Sequence, residues 1–189
     1  MKGLNFKEVM KPAAILFVIC VLVSAALAGT NLLTVDRIAE AAAKKAEESR
    51  MVVLPGAEAF EEAGGHYVGK DGSGQSVGYV FETEAKGYGG TVKVMTGISI
   101  QGDITGVIVL EHSETPGLGA NAEKEDFREQ YKQPIANTVG GIEIVKYQTP
   151  AEGQIEAMTG ATITSTAVTS AVNQAIAAYQ EAYDSEGGN

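Results

Sequence analysis

Cysteine, histidine and basic charge are all scarce in this chain, and each scarcity excludes a class of chemistry. Among 189 residues there is one cysteine, Cys20, and it lies inside an apolar run. A single thiol forms no intramolecular disulfide, and this chain alone cannot build a cysteine-based zinc or iron–sulfur site. The two histidines, His66 and His112, lie far apart without ligand spacing, so they read as structural or surface residues and not as a metal pair. Only 14 basic residues stand against 24 acidic ones, a formal net charge of −10. Nucleic-acid binding needs a basic face, so DNA and RNA are excluded as partners. Otherwise the acidity means a solvated surface. Internal repeats and low-complexity segments are absent as well.

What the chain does have begins with a long apolar run. Lys2, Lys7 and Lys11 make the N-terminus basic, and no charged residue then appears from Pro12 through Val35. That length is close to the roughly 20 residues that span a bilayer. Ala26-Leu27-Ala28 resembles a signal-peptide cleavage site, but the run continues past it and is longer than a signal core, which favours a retained anchor. The organisation read from the sequence is a cytoplasmic N-terminus at 1–11, a transmembrane helix at 12–34, a helical stalk at 35–54 and a domain at 55–189. The stalk is rich in good helix formers, and Leu54-Pro55-Gly56 ends it. Basic flanks stay cytoplasmic, so the domain is expected on the extracytoplasmic side of the cell (inner) membrane, held by one span.

Beyond the stalk the pattern is one of strands. Tyr67–Lys70 and Val77–Thr83 flank the turn residues Asp71-Gly72-Ser73-Gly74. Thr91–Ile100 alternates, and Gln101-Gly102-Asp103 separates it from Ile104–Leu110. A helical stretch from about Glu123 to Tyr131 and a strand at Ile142–Lys146 follow. The chain closes on a helix in which Val168, Ala171, Val172, Ala175, Ile176 and Tyr179 recur at helical spacing. The fold class is therefore α+β, with a mostly antiparallel sheet and a C-terminal helix behind the transmembrane helix and stalk.

Three stretches interrupt this background. Lys86-Gly87-Tyr88-Gly89-Gly90 reads either as a flexible hairpin or as a close backbone approach to a flat ligand. His112-Ser113-Glu114-Thr115-Pro116-Gly117-Leu118-Gly119 places a carboxylate, a hydroxyl, backbone amides and an apolar side chain on one tight turn, suited to a planar, polar-edged ring. Thr159-Gly160-Ala161-Thr162-Ile163-Thr164-Ser165 opens the last helix. Read plainly it is a helix cap. Its free N–H groups and helix dipole also suit an anion, and a threonine hydroxyl there could carry a phosphate as an ester.

Together these motifs resemble the G subunit of the Rnf electron-transport complex and, more broadly, the FMN-binding domain shared with the C subunit of the sodium-pumping NADH:quinone reductase. The resemblance covers essentially the whole chain, and the middle motif favours the Rnf branch. It implies FMN held covalently through a phosphoester on Thr162, the last threonine of Thr159-Gly160-Ala161-Thr162. A separate flavin transferase makes that bond in the family, at a pattern that begins with an aspartate where this chain has Glu156. By the same resemblance the turn from Glu114 to Gly119 lies against the isoalloxazine ring, with Thr115, Leu118 and Gly119 in contact and Tyr88 nearby. Thr159 and Thr164 shape the attachment turn. The implied activity is electron relay within an ion-translocating ferredoxin:NAD oxidoreductase, beside other membrane and iron–sulfur subunits. The flavin supplies the redox chemistry, so neither a catalytic acid or base nor a metal site is expected. The alternatives are a C-type subunit of the quinone reductase, or a non-redox extracytoplasmic binding or scaffolding module.

Overall fold

A computed structural model describes residues 6–138 and 140–185. It contains helix α1 (Phe6–Val53), strands β1 (Ala59–Ala63), β2 (His66–Lys70), β3 (Ser76–Lys86), β4 (Thr91–Ser99) and β5 (Ile104–Glu111), a short helix α2 (Glu125–Glu129), strands β6 (Glu143–Val145) and β7 (Gln154–Glu156), and helix α3 (Thr162–Ser185). The chain divides into two compact units, 1–44 and 45–189.

The first unit is helical. Its apolar side chains, among them Leu16, Phe17, Leu22, Leu27 and Leu33, are exposed on every side. Its two threonines hide their hydroxyls by donating to carbonyls one turn back, Thr30 to Ala26 at 2.9 Å and Thr34 to Thr30 at 3.0 Å. Among the described residues α1 is the one helix long and apolar enough to cross a membrane.

The second unit is built on a five-stranded antiparallel meander in the order β1-β2-β3-β4-β5. The β2–β3 hairpin has a visible physical cause. At the β2–β3 turn, Asp71 Oδ1 accepts from the Ser73 and Gln75 amides at 2.8 and 2.9 Å and from the Ser73 hydroxyl at 2.7 Å. Those bonds, that from the Ser73 hydroxyl above all, hold the Asp71 carboxyl below its ordinary value. Alternation along β3, β4 and β5 sends Tyr79, Phe81, Val92, Val94, Val107 and Val109 into one core, while Val80, Met95 and Ile108 face the other side. On that other side α1 ends at buried Val53, and buried Leu54 follows it. Gly97 and Gly106 admit the Val53 backbone, since a Cβ on Gly97 would lie 2.1 Å from the Val53 carbonyl oxygen. The Thr105 hydroxyl donates to that same oxygen.

On the first face lies α3, with Val168, Ala171, Val172, Ala175 and Ile176 buried in the main core. Small alanines let it approach β3 closely enough for the Thr83 hydroxyl to donate to the Ala171 carbonyl at 2.8 Å. The α+β architecture agrees with the sequence reading, but two strands were not legible. Ala59–Ala63 has the composition of a helix, and pairing with β2 overrides that preference. Gln154–Glu156 forms a parallel pair with β6, a non-local contact that no local pattern announces.

Candidate functional site

The site grows from a buried carboxylate. Glu114 follows β5 and is 6% exposed. One of its oxygens accepts from the Gly89 amide at 2.9 Å, and the other accepts from the Thr164 hydroxyl. One side chain thus ties the β3–β4 hairpin, the loop after β5 and the first turn of α3. Its backbone N–H donates to His112 Nδ1 at 3.1 Å, which leaves the His112 Nε2 side toward Glu123 at 3.4 Å.

Glycines make room for this clasp. A Cβ on Gly119 would sit 2.5 Å from both Glu114 Oε2 and Thr164 Oγ1, and one on Gly87 would sit 2.4 Å from Glu114 Oε1. A Cβ on Gly89 would meet the Ser113 carbonyl oxygen even more closely, at 2.1 Å. The close approach made by the glycine-rich hairpin is therefore to Ser113 and Glu114. The loop turns as its composition demands: Gly117 has φ +78°, Pro116 precedes it, and the Leu118 amide donates to the Thr115 carbonyl at 3.1 Å.

Opposite this loop, α3 begins at Thr162, so Ala161, which has no side-chain oxygen, stands at the capping position. Buried Ser165 instead ties the preceding loop to the helix: its hydroxyl accepts from the Met158 amide and donates to the Ala161 carbonyl, both at 3.0 Å. The Ser165 amide is the first to bond back into the helix, to Ala161 at 3.0 Å. The amides of Thr162, Ile163 and Thr164 precede it and remain at the positive end of the helix dipole. Thr164 is buried and committed to Glu114. The hydroxyl of half-buried Thr162, by contrast, has no hydrogen-bond partner among the described residues.

Between these walls lies a cleft of about 600 Å³. Tyr88, Glu114, Thr115, Leu118 and Gly119 line it from the sheet side, and Gly160, Ala161, Thr162 and Thr164 from the helix side. Thr159 is not brought into it and lines two smaller neighbouring depressions. Two lining residues had no site role in the sequence reading: Ile163, within the Thr159–Ser165 stretch beside Thr162, and Tyr147, for which no local signal exists. Tyr88, Leu118, Tyr147 and Ile163 are exposed at the cleft, so its apolar surface faces solvent. Among the described residues no cluster of three or more His, Cys, Asp or Glu could hold a metal ion.

An open cleft with aromatic and aliphatic walls and a helix N-terminus at one end suits a planar ring carrying an anionic tail. The class of protein agrees: residues 87–177 match the family described as FMN-binding domain, and residues 1–50 match the RnfG N-terminal region. The chain is 38% identical to the G subunit of the Na(+)-translocating ferredoxin:NAD(+) oxidoreductase complex of Acetobacterium woodii, over 94% of each chain. It is 35% identical to the G subunit of the ion-translocating oxidoreductase complex of Methanosarcina acetivorans, covering 90% of this chain and 94% of that one. The fold is shared with the crystal structure of Shewanella oneidensis NqrC, at a TM-score of 0.52 and 20% identity over 67% of each chain. The chain belongs to the RnfG family, the G subunits of ion-translocating oxidoreductase complexes.

Proposed function

We propose that this chain is the flavoprotein electron carrier of an ion-translocating ferredoxin:NAD oxidoreductase complex. FMN is joined to it covalently through a phosphoester on Thr162. The carrying observation is the contrast between two threonines one half-turn apart in α3. Thr164 spends its hydroxyl on Glu114, whereas Thr162 presents an uncommitted hydroxyl to the cleft, where the first amides of α3 favour the negative charge of a phosphodiester.

The residues present fit that group. Tyr88, Leu118 and Ile163 supply apolar surface for the ring, Thr115 and Gly119 lie beside it, and Gly160 and Ala161 keep the approach to Thr162 narrow but open. Gly160, at φ +75°, makes the turn that brings Thr162 to the cleft. When bound, the flavin supplies the electron chemistry. The protein's part is to orient it, to exclude water from one face and to prevent its loss. Glu114 acts by position, holding three segments together so that the cleft keeps its shape.

In this reading α1 is a single membrane anchor with Lys2, Lys7 and Lys11 on the cytoplasmic side, and the domain is extracytoplasmic. There, a covalent bond keeps a cofactor that cannot be replenished from the cytoplasm. Its partners are the other membrane and iron–sulfur subunits of the complex, and a flavin transferase that loads Thr162. Glu156 projects from β7 at the edge of the neighbouring depression of about 210 Å³, with its amide held by Gln130 at 2.7 Å.

The test is co-expression of the full chain with a flavin transferase, followed by in-gel flavin fluorescence after denaturation and mass analysis of the peptide holding Thr162. Wild type retains one flavin through denaturation and Thr162→Ala retains none. A Thr162→Ala protein that stays fluorescent sinks the attachment site.

A further inference from the structure

Tyr147 is the cleft-lining residue that this reading leaves without a task. Among the described residues it is the one non-glycine residue with positive φ, at +56°. L-residues with bulky side chains seldom adopt this left-handed backbone, because Cβ crowds the following carbonyl. Such conformations persist where the surroundings over-determine them, and they gather at ligand clamps. Here the surroundings are visible. Val145, two residues before it, is buried and its carbonyl accepts from the Ala157 amide at 2.9 Å, while the far end of the loop is held by the Gly153 amide donating to Gln133 at 2.8 Å.

The fold itself draws no benefit from the strained residue's side chain. Tyr147 is 86% exposed, and among the described residues no ring contact or hydrogen bond engages it. An aromatic side chain left in water on a strained, tethered backbone lacks the burial that ordinarily stabilises such a position. Its place supplies what is missing. Tyr147 lines both the main cleft and the small depression shared with Met158, Thr159, Gly160 and Thr162, on the attachment side. Tyr88, 74% exposed, also lines the main cleft, on the hairpin whose next residue, Gly89, donates to Glu114.

We propose that Tyr147 is a flavin-covering residue: its ring stacks on the isoalloxazine of the FMN tethered at Thr162 and shields that face from water. The inference rests on the flavin reading above and adds a contact to it. Two flat rings in offset stacking each bury apolar area, so the cofactor returns to Tyr147 the burial that the bare fold withholds.

The full chain, co-expressed with a flavin transferase and purified in detergent, carries the test. Tyr147→Asn keeps the backbone, because asparagine tolerates positive φ, and removes the ring. Tyr147→Phe keeps the ring. Mass analysis of the Thr162 peptide gives the flavin load, native flavin fluorescence relative to the denatured protein gives stacking, and iodide quenching gives access to solvent. Equal loading in all three proteins is expected, with severalfold brighter native fluorescence and greater iodide access in Tyr147→Asn alone. Equal loading with wild-type fluorescence and iodide access in Tyr147→Asn overturns the stacking role and leaves the attachment reading standing. Wild-type protein with no flavin on Thr162 overturns both. A lowered thermal midpoint of Tyr147→Asn in the flavin-free Thr162→Ala background also counts against the proposal, because it places the ring in the protein's own packing.

Discussion

Helices α1 and α3 are both rich in apolar residues and place them in opposite ways. In the first unit α1 exposes Leu16, Phe17, Leu22 and Leu33 around its whole circumference. In the second unit α3 buries Val168, Val172 and Ile176 on one face and leaves Thr166, Ser170 and Gln174 exposed on the other. An apolar surface on every side has hydrocarbon as its natural solvent, whereas a one-sided stripe needs a core on one side and water on the other. Apolar residues therefore prescribe different solvents in the two helices, according to how continuous they are and how they are spaced.

The same substitution in the two helices tests that contrast most severely. Val172→Asp places a charge without a partner in the main core, at a cost of roughly 4 kcal/mol or more. The expected result is loss of the domain's cooperative thermal transition. Leu22→Asp should leave that transition unchanged and instead lower the membrane-retained fraction after alkaline extraction, through an insertion penalty of about 2.5–3.5 kcal/mol. A lower thermal midpoint in Leu22→Asp would break the comparison, because it would give this part of α1 a packing role in the fold.

A smaller effect is expected at the junction of loop and helix. Glu114→Ala leaves the Gly89 amide and the Thr164 hydroxyl without their partner, which costs about 1–3 kcal/mol. Gly119→Ala forces a methyl group into the same clasp and should destabilise the domain by roughly 1–3 kcal/mol. Chemical denaturation measures both, and both should also lower flavin loading at Thr162. Unchanged stability in either would mean that α3 holds its first turn without the loop.

The mildest test concerns the buried flank of α3. Tyr131 donates to or accepts from Thr169 at 2.8 Å, and burial pushes its phenol well above the ordinary value of 10.0. Below that value both folded and unfolded chains keep the proton, so the full contribution is present. Above it the unfolded chain ionises and the folded one does not, and stability falls as pH rises. Lys93 acts in the same direction, since its hydrogen bond to Glu82 raises its value above 10.5. Tyr131→Phe should cost about 1 kcal/mol at neutral pH and make the alkaline loss shallower, as read by thermal unfolding at pH 7 and above pH 10.

Much of the architecture was legible because it rests on local causes. The apolar run, the hairpin turns at Asp71-Gly72-Ser73-Gly74 and Gln101-Gly102-Asp103, and the stripe from Val168 to Tyr179 follow from periodicity and turn chemistry. The short elements were harder. Helix α2 spans only Glu125–Glu129, and β1 and β7 exist because partners reach them. At the site, the family resemblance of the motifs brought forward Tyr88, Glu114, Thr115, Leu118, Gly119 and Thr162, all of which line one cleft. The motifs did not show what Glu114 does, because its two partners lie 25 and 50 residues away. Nor did they point to Tyr147, whose place depends on the parallel pairing of β6 with β7.

By itself the sequence determined a membrane-length apolar helix, an α+β domain and the family to which the chain belongs, because those depend on composition, period and motif. Tertiary structure alone decided which hydroxyl is committed and which is free. Thr162 and Thr164 are equivalent as letters in a helix start, and they differ because Glu114, given room by Gly119, accepts from the Thr164 hydroxyl. A long-range carboxylate selects between neighbours that local chemistry cannot tell apart.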